Sequence, residues 1–174
     1  MSPRSHVWFL FAVLTALVFA GCASRPNRAP WGYTALFNGK DLTNWQGLVE
    51  SPPARAKMSP ADLAKAQALA DQRMRDHWRV VDGALVFDGG GDNLCTIEEF
   101  KDFDLYVDWK ILKDGDSGIY LRGSPQVQIW DNPIGSGGLY NNQKNPSKPT
   151  AVADKPVGEW NTFRILMSGE RVTV

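Results

Sequence analysis

Residues 103–131 read FDLYVDWKILKDGDSGIYLRGSPQVQIWD, three alternating runs separated by turn residues. Successive side chains on a strand point to opposite sides, so each run sorts into two sets. In the first, Phe103, Leu105, Val107, Trp109 and Ile111 oppose Asp104, Tyr106, Asp108 and Lys110. In the second, Ile119 and Leu121 oppose Tyr120 and Arg122; in the third, Val127 and Ile129 oppose Gln126, Gln128 and Trp130. If the three strands are neighbours in one antiparallel sheet, one face is dry and the other gathers acids, bases, amides and aromatics. Such a mixture suits a neutral, hydroxyl-rich ligand: amides and charges bond hydroxyls while aromatic faces stack on sugar rings. Asp131, by parity, points away from Gln128.

Working outward, the rest of the chain keeps the strand rhythm with one interruption. Tyr33 to Phe37 suggests a first strand, followed by a turn at Asn38–Asp41. Residues 48–58, with Pro52 and Pro53 adjacent, suggest a loop. Ser59-Pro60-Ala61-Asp62 is a helix start, with Ser59 as N-cap and proline at the first helical position. The Ala-rich sequence that follows predicts a helical insertion over about 59–75, with Leu63, Ala66, Ala70 and Met74 on one face. Asp82-Gly83 between Trp78–Val81 and Ala84–Asp88 is a hairpin signal. Gly89 to Gly91 lead into a strand at 93–96; no lysine or helix follows them, which disfavours a phosphate loop. Residues 132–157 have little periodicity and suggest a long loop, a common place for function. Trp160 to Met167 and Arg171 to Val174 are further strands, and a strand reaching the last residue suggests an incomplete domain. The expected fold is all-β.

The 174 residues, 43% of them apolar, suffice for one core and one domain. Lysines and arginines balance acids, 19 against 19, and no basic run occurs, which argues against nucleic acid as a partner. Seven tryptophans are many for this length and fit either a core or a sugar site. Only His6 and His77 are present, and with Cys22 and Cys95 they form no cluster of zinc-ligand spacing. Cys95 reads as a small buried hydrophobe rather than a nucleophile.

The amino terminus carries an export signal: Arg4 and His6, then the apolar stretch from Val7 to Phe19, too short to span a membrane comfortably. It ends Ala20-Gly21-Cys22, which resembles a bacterial lipobox, making residues 1–22 a signal peptide and Cys22 the lipidated first residue. Residues 23–30 then form a flexible tether and 31–174 the domain. The expected location is the cell envelope, exported and facing periplasm or exterior, with the membrane as a partner through the lipid.

The phrases LFNGKDLTNW (36–45), HWRVVDGALVFDGGGDNLCT (77–96), DFDLYVDWKI (102–111), GDSGIYLRG (115–123), PQVQIWD (125–131), GSGGLYNN (135–142) and PVGEWNTFRI (156–165) stand in one order. Together they resemble the bacterial 3-keto-disaccharide hydrolase domain family, also described as 3-keto-glucoside lyases and hydratases. The resemblance implies a concanavalin A-like jelly roll, and a substrate glycoside already oxidised to a ketone at C3. Many members carry Glu where Gln126 stands, so a carboxylate role cannot be carried over to that position.

A 3-keto group acidifies the C2 proton, so the implied reaction eliminates the glycosidic oxygen and then adds water. It needs a base, an electrophile for the enolate and a proton source for the leaving group, without the carboxylate pair of ordinary glycosidases. The catalytic candidates are Arg122 as the fixed cation, Asp108 or Asp116 as base, and Lys110 as acid or electrostatic partner. Gln126 and Gln128 are candidates for hydroxyl binding, and Trp130 or Tyr120 for stacking. His77 titrates in a useful range but is not placed on this face. Asp114 and Asp116 in KDGDSG form a tight turn rather than a calcium loop, since oxygen ligands are too few. No cofactor is evident, and a divalent metal is compatible with the chemistry without support from the sequence. The alternative from another class is a non-catalytic carbohydrate-binding or adhesion module of the envelope, which the same fold supports.

Overall fold

A computed structural model describes residues 29–142, 145 and 147–174. The expected export signal, Cys22 and most of the expected tether lie outside the described residues. Two three-stranded antiparallel sheets form the sandwich. One has β5 (Phe103–Trp109), β9 (Asn161–Ser168) and β10 (Arg171–Thr173) in the order β10-β9-β5. The other has β6 (Asp116–Tyr120), β7 (Gln126–Trp130) and β8 (Leu139–Tyr140) in the order β6-β7-β8. Two smaller pairs flank them: β1 (Trp45–Gly47) with β4 (Leu94–Thr96), and the hairpin β2 (Trp78–Val81) with β3 (Ala84–Phe87). The fold is an all-β jelly roll carrying a helical insertion.

Burial follows the alternation. In β9, Asn161, Ile165 and Met167 are buried and Phe163 partly so, while Thr162, Arg164, Leu166 and Ser168 are exposed. Leu121, Val127, Ile165 and Met167 form the core, with Leu105, Val107, Ile119 and Phe163 packed around it. Each such side chain contributes about 1.5–3 kcal/mol when fully buried. Trp109 is also buried and its ring lies 5.0 Å from that of Phe163, which makes it a core residue.

The expectation that the three opening strands share one sheet is overturned. β5 pairs along its whole length with β9, from Phe103↔Met167 to Trp109↔Asn161, whereas β6 pairs with β7. The link over residues 110–115 carries the chain from one sheet to the other instead of closing a hairpin. The hydrophobic effect supplies the reason. All three strands have a dry face, and coplanar strands would leave that face to be covered by something else. Crossing over lets the dry sets face each other and bury both. Two polar faces therefore look outward on opposite sides, with sheets stacked about 10 Å apart between them.

The helix is α2 (Pro60–His77), two residues longer than expected at its end, with the Ser59 side chain accepting from the Asp62 amide as N-cap. Ala70 and Met74 are its buried residues. It docks on β1 through Gly47, whose amide donates to Asp71 and whose carbonyl accepts from Gln67. A Cβ at position 47 would lie 2.2 Å from the Ala70 carbonyl oxygen, so only glycine permits this approach. Residues 33–37, expected as a strand, are irregular, and the loop over 48–58 contains a short helix, α1 (Pro52–Arg55). The long polar segment after Asp131 supplies the two-residue edge strand β8.

Candidate functional site

The outer face of β6–β7–β8 is built in three rungs. Tyr120, Gln126 and Tyr140 lie side by side across the three strands; Gly118 lies beside Gln128; Asp116 lies beside Trp130. Both tyrosines are more than half exposed, and Asp116 is exposed. The glutamines are arranged differently. Gln126 is half-buried and its amide lies flat across Gly118, where a Cβ would come within 2.1 Å of Nε2. That Nε2 donates to the Ser117 carbonyl at 3.3 Å and to Gln128 Oε1 at 3.4 Å. Gln128 is only 4% exposed although it belongs to the outer face, and its Nε2 donates to Asp116 Oδ1 at 2.5 Å. Its backbone is held from the far side, the amide donating to the Gly138 carbonyl and the carbonyl accepting from Gly137.

Trp130 closes the third rung as a fastened residue. Its indole N–H donates to the Gly135 carbonyl at 2.8 Å and its amide to the Ser136 hydroxyl at 3.1 Å. Ser136 in turn donates its amide to the Asp154 carboxylate at 2.9 Å. Trp130 lines a cavity of about 80 Å³ with Trp109, Asp131, Asn132 and Asp154, a space for a few water molecules. At the opposite end, past Tyr140, a groove of about 360 Å³ runs between β8 and β10, lined among others by Tyr140, Asn142, Asn145, Glu170 and Val172.

Three of the catalytic candidates are placed elsewhere. Arg122 leaves the strand in a left-handed conformation, φ 55°, so strand parity does not reach it. Its guanidinium donates to the carbonyls of Lys101 at 3.2 Å and Gly169 at 2.6 Å, while Asp102 accepts from the Gly169 amide at 2.8 Å. Arg122 thus staples the β6–β7 turn to the β9–β10 turn of the other sheet. Asp108 stands on the outer face of β5, exposed, accepting from the Thr162 hydroxyl. Lys110 lies beyond that strand's end with its ammonium 4.9 Å from the Trp160 ring. Asp108 cannot share a ligand with the glutamines, because the sandwich lies between them, and Lys110 is engaged with Trp160 rather than with the β6–β7–β8 face. Of the acids considered as base, Asp116 alone shares the face with Tyr120 and Gln126.

His77 is also structural. It ends α2, its Nδ1 is 3.0 Å from Asp88, and it packs against Gly90 and Gly91. The Gly90 amide, foremost, and His77 hold the Asp88 carboxyl below its usual range. Desolvation pushes the half-buried Cys95 thiol up, as expected of a small apolar filler. Among the described residues no group of three or more His, Cys, Asp or Glu is placed to hold a metal ion. No helix among them is long and apolar enough to cross a membrane.

Sequence reasoning missed Tyr140 and a cluster on the opposite face. Tyr140 fell in an aperiodic stretch, and only pairing with β7 brings it beside Gln126. On the β5–β9 face, Arg164 clamps Asp104 through Nε at 3.0 Å and Nη2 at 2.8 Å, and the Tyr33 hydroxyl donates to the same carboxylate at 2.7 Å. Tyr106 sits edge-on to Tyr33, with centroids 5.2 Å apart. The hydrogen bond to Asp104, foremost, then desolvation, push the Tyr33 hydroxyl up to about 12. Bonds from Arg164 and Tyr33 hold Asp104 below its usual range, and Asp104 pushes Arg164 higher still. The sequence signal was alternation in both strands, which puts Asp104 and Arg164 on one face once they pair.

Comparison with known proteins adds three findings. The family model of the 3-keto-alpha-glucoside-1,2-lyase-like domain matches residues 32–174. A curated 3-keto-disaccharide hydrolase of Bacteroides thetaiotaomicron is 25% identical over 173 aligned positions, covering 78% of this chain and 52% of that protein. The chain thus spans about half the length of that relative. A crystal structure from Parabacteroides distasonis, provisionally assigned as a glycosyl hydrolase, superposes with a TM-score of 0.56 at 21% identity, over 84% of this chain and 71% of that one. This last likeness supports the jelly-roll fold.

Proposed function

The chain belongs to the 3-keto-alpha-glucoside-1,2-lyase-like domain family, and on that premise we propose that it acts on 3-keto-glycosides at the outer face of β6–β7–β8. The observation carrying this reading is an exposed carboxylate, Asp116, on the same sheet face as an amide set between two exposed tyrosines. Asp116 takes the C2 proton, whose acidity comes from the neighbouring ketone. The glycosidic C1–O bond then breaks as the C1–C2 double bond forms, and water protonates the departing oxygen. The hydroxide so formed adds to C1 as Asp116 returns its proton to C2, which completes a net hydrolysis. Tyr120 and Tyr140 stack on or donate hydroxyls to the ring, and the Gln126 amide bonds a hydroxyl or the keto oxygen. Gln128, nearly inaccessible and already bonded to Asp116, does not contact the sugar. Cys22 carries the lipid that holds the domain at the envelope, where oxidised saccharides are met.

The test is incubation with a 3-keto-glucoside and, separately, its parent glucoside, following release of the aglycone. Release from the keto sugar alone is the expected result. Binding of the keto sugar without turnover favours the second reading, a non-catalytic saccharide-binding module. That reading has one observation behind it: among the described residues, no Lys, Arg or His shares the three rungs with Asp116.

A further inference from the structure

Gln128 is the anomaly of the outer face. A side chain pointing away from the core of a sandwich is ordinarily solvated, yet this one is as buried as a core residue. Burying an amide without partners is costly, by about 1–3 kcal/mol on protein scales, and here both its oxygen and its nitrogen have a partner. Its Oε1 accepts from Gln126, its Nε2 donates to Asp116, and Gln126 is itself laid down over Gly118. The N–H bonds run in one direction, from Gln126 to Gln128 to Asp116, and end on an exposed carboxylate. A bond from a buried amide donor to a carboxylate oxygen is of the strong kind. Contrast Asp108, whose partner Thr162 is exposed and rotatable.

We infer that Gln128 is a positioning residue: it fixes one carboxylate oxygen of Asp116 from beneath, so that the other is presented outward in a constant orientation. Its role in turnover rests on the reading of Asp116 as the base; the hydrogen-bonded relay itself does not. Proton abstraction depends steeply on the placement of the base, so the relay belongs to the chemical step rather than to binding.

The kinetic test uses the 3-keto-glucoside. Gln128→Leu is expected to lower kcat by about tenfold to a hundredfold, the worth of one charge-assisted bond, with KM unchanged. Asp116→Asn is expected to lower kcat further, and the double variant to fall no lower than Asp116→Asn within about twofold, because residues acting as a unit are not additive. A double variant showing the product of the two single losses would overturn the inference, as would a Gln128→Leu effect confined to KM. A second measurement needs no substrate. In the full chain, the Gln128 side-chain NH₂ protons are expected to be shifted and protected from exchange in NMR spectra, and to lose both properties in Asp116→Ala. Unchanged Gln128 resonances in that variant would sink the relay even if the enzyme is active. A wild-type chain that releases no aglycone while Gln128 responds as expected would instead refute the reading of the reaction.

Discussion

The two outer faces of the sandwich come from the same alternating pattern and have been put to opposite uses. On β5–β9, charge is consumed internally: Arg164 grips Asp104 with two bonds, Tyr33 adds a third, and Tyr106 packs beside them. Nothing ionisable in that cluster is left to act, and it serves to hold the segment around Tyr33 against the sheet. On β6–β7–β8 the charge is a single carboxylate, and its partner is an amide beneath it rather than a cation beside it. An acid clamped by Arg has its charge matched and its oxygens occupied; an acid held through one oxygen by an amide has the other left to meet a ligand. The polar composition of a strand face is therefore a poor guide to function until the partner of each group is known.

The sharpest way to break this comparison is to remove one acid from each face. Asp116→Asn is expected to cost about a hundredfold to ten-thousandfold in kcat on a 3-keto-glucoside, the range for losing a general base, whereas Asp108→Asn leaves turnover unchanged. Equal effects would abolish the distinction between the faces. Next in size, Gly118→Val forces Gln126 off the sheet, since even a Cβ would stand 2.1 Å from its amide. About a tenfold rise in KM is expected, measured with the same substrate, because one sugar contact is lost. Arg122→Ala removes the staple between the sheets without touching the face. It is expected to lower unfolding free energy by about 1 kcal/mol in urea titration, with kcat per folded molecule unaltered. A kcat loss there would return Arg122 to the site.

The smallest effect concerns pH and belongs to the closed face. The Tyr33 pKa is raised to about 12 from an ordinary 10.0, so the folded chain holds that proton more tightly than the unfolded one. Its contribution is complete below pH 10 and is lost as the pH rises through about 12. Asp104 is shifted the other way. Its contribution is present above its ordinary 3.8 and is lost as the pH falls through the lower folded value. Tyr33→Phe is expected to flatten the alkaline decline of the unfolding midpoint measured from pH 9 to 12. An unchanged decline would detach Tyr33 from Asp104.

Much of the fold is legible in the sequence alone. Alternation marked β5, β6, β7 and β9 because one face of each must be dry, Asp82-Gly83 marked the β2–β3 hairpin, and Ser59-Pro60 marked the helix start. Local rules of two-residue and 3.6-residue periodicity suffice for these. Residues 33–37 misled because a strand-like run forms no strand without a partner edge. β8 was invisible because two residues carry no period. On the β6–β7 face, Tyr120 and Gln126 stand side by side as strand parity requires, with Asp116 two rungs away. Arg122, Asp108 and Lys110 were misplaced, the first because a left-handed turn ends parity, the others because β5 crosses to the second sheet.

By itself, then, the sequence determined which side chains each strand would hide and which it would show, since that depends only on neighbours along the chain. It also carried the phrases by which the family is known. Which strands would pair, and hence which polar groups would meet, was decided only by the tertiary structure. Strand pairing joins residues dozens of positions apart, as Asp108 and Thr162 are, and is selected by the burial of whole faces rather than by any local pattern. The burial of Gln128 beneath Asp116 is of that second kind. Alternation placed the glutamine on the polar face, and only packing by its neighbours turned it from a surface amide into the support of a carboxylate.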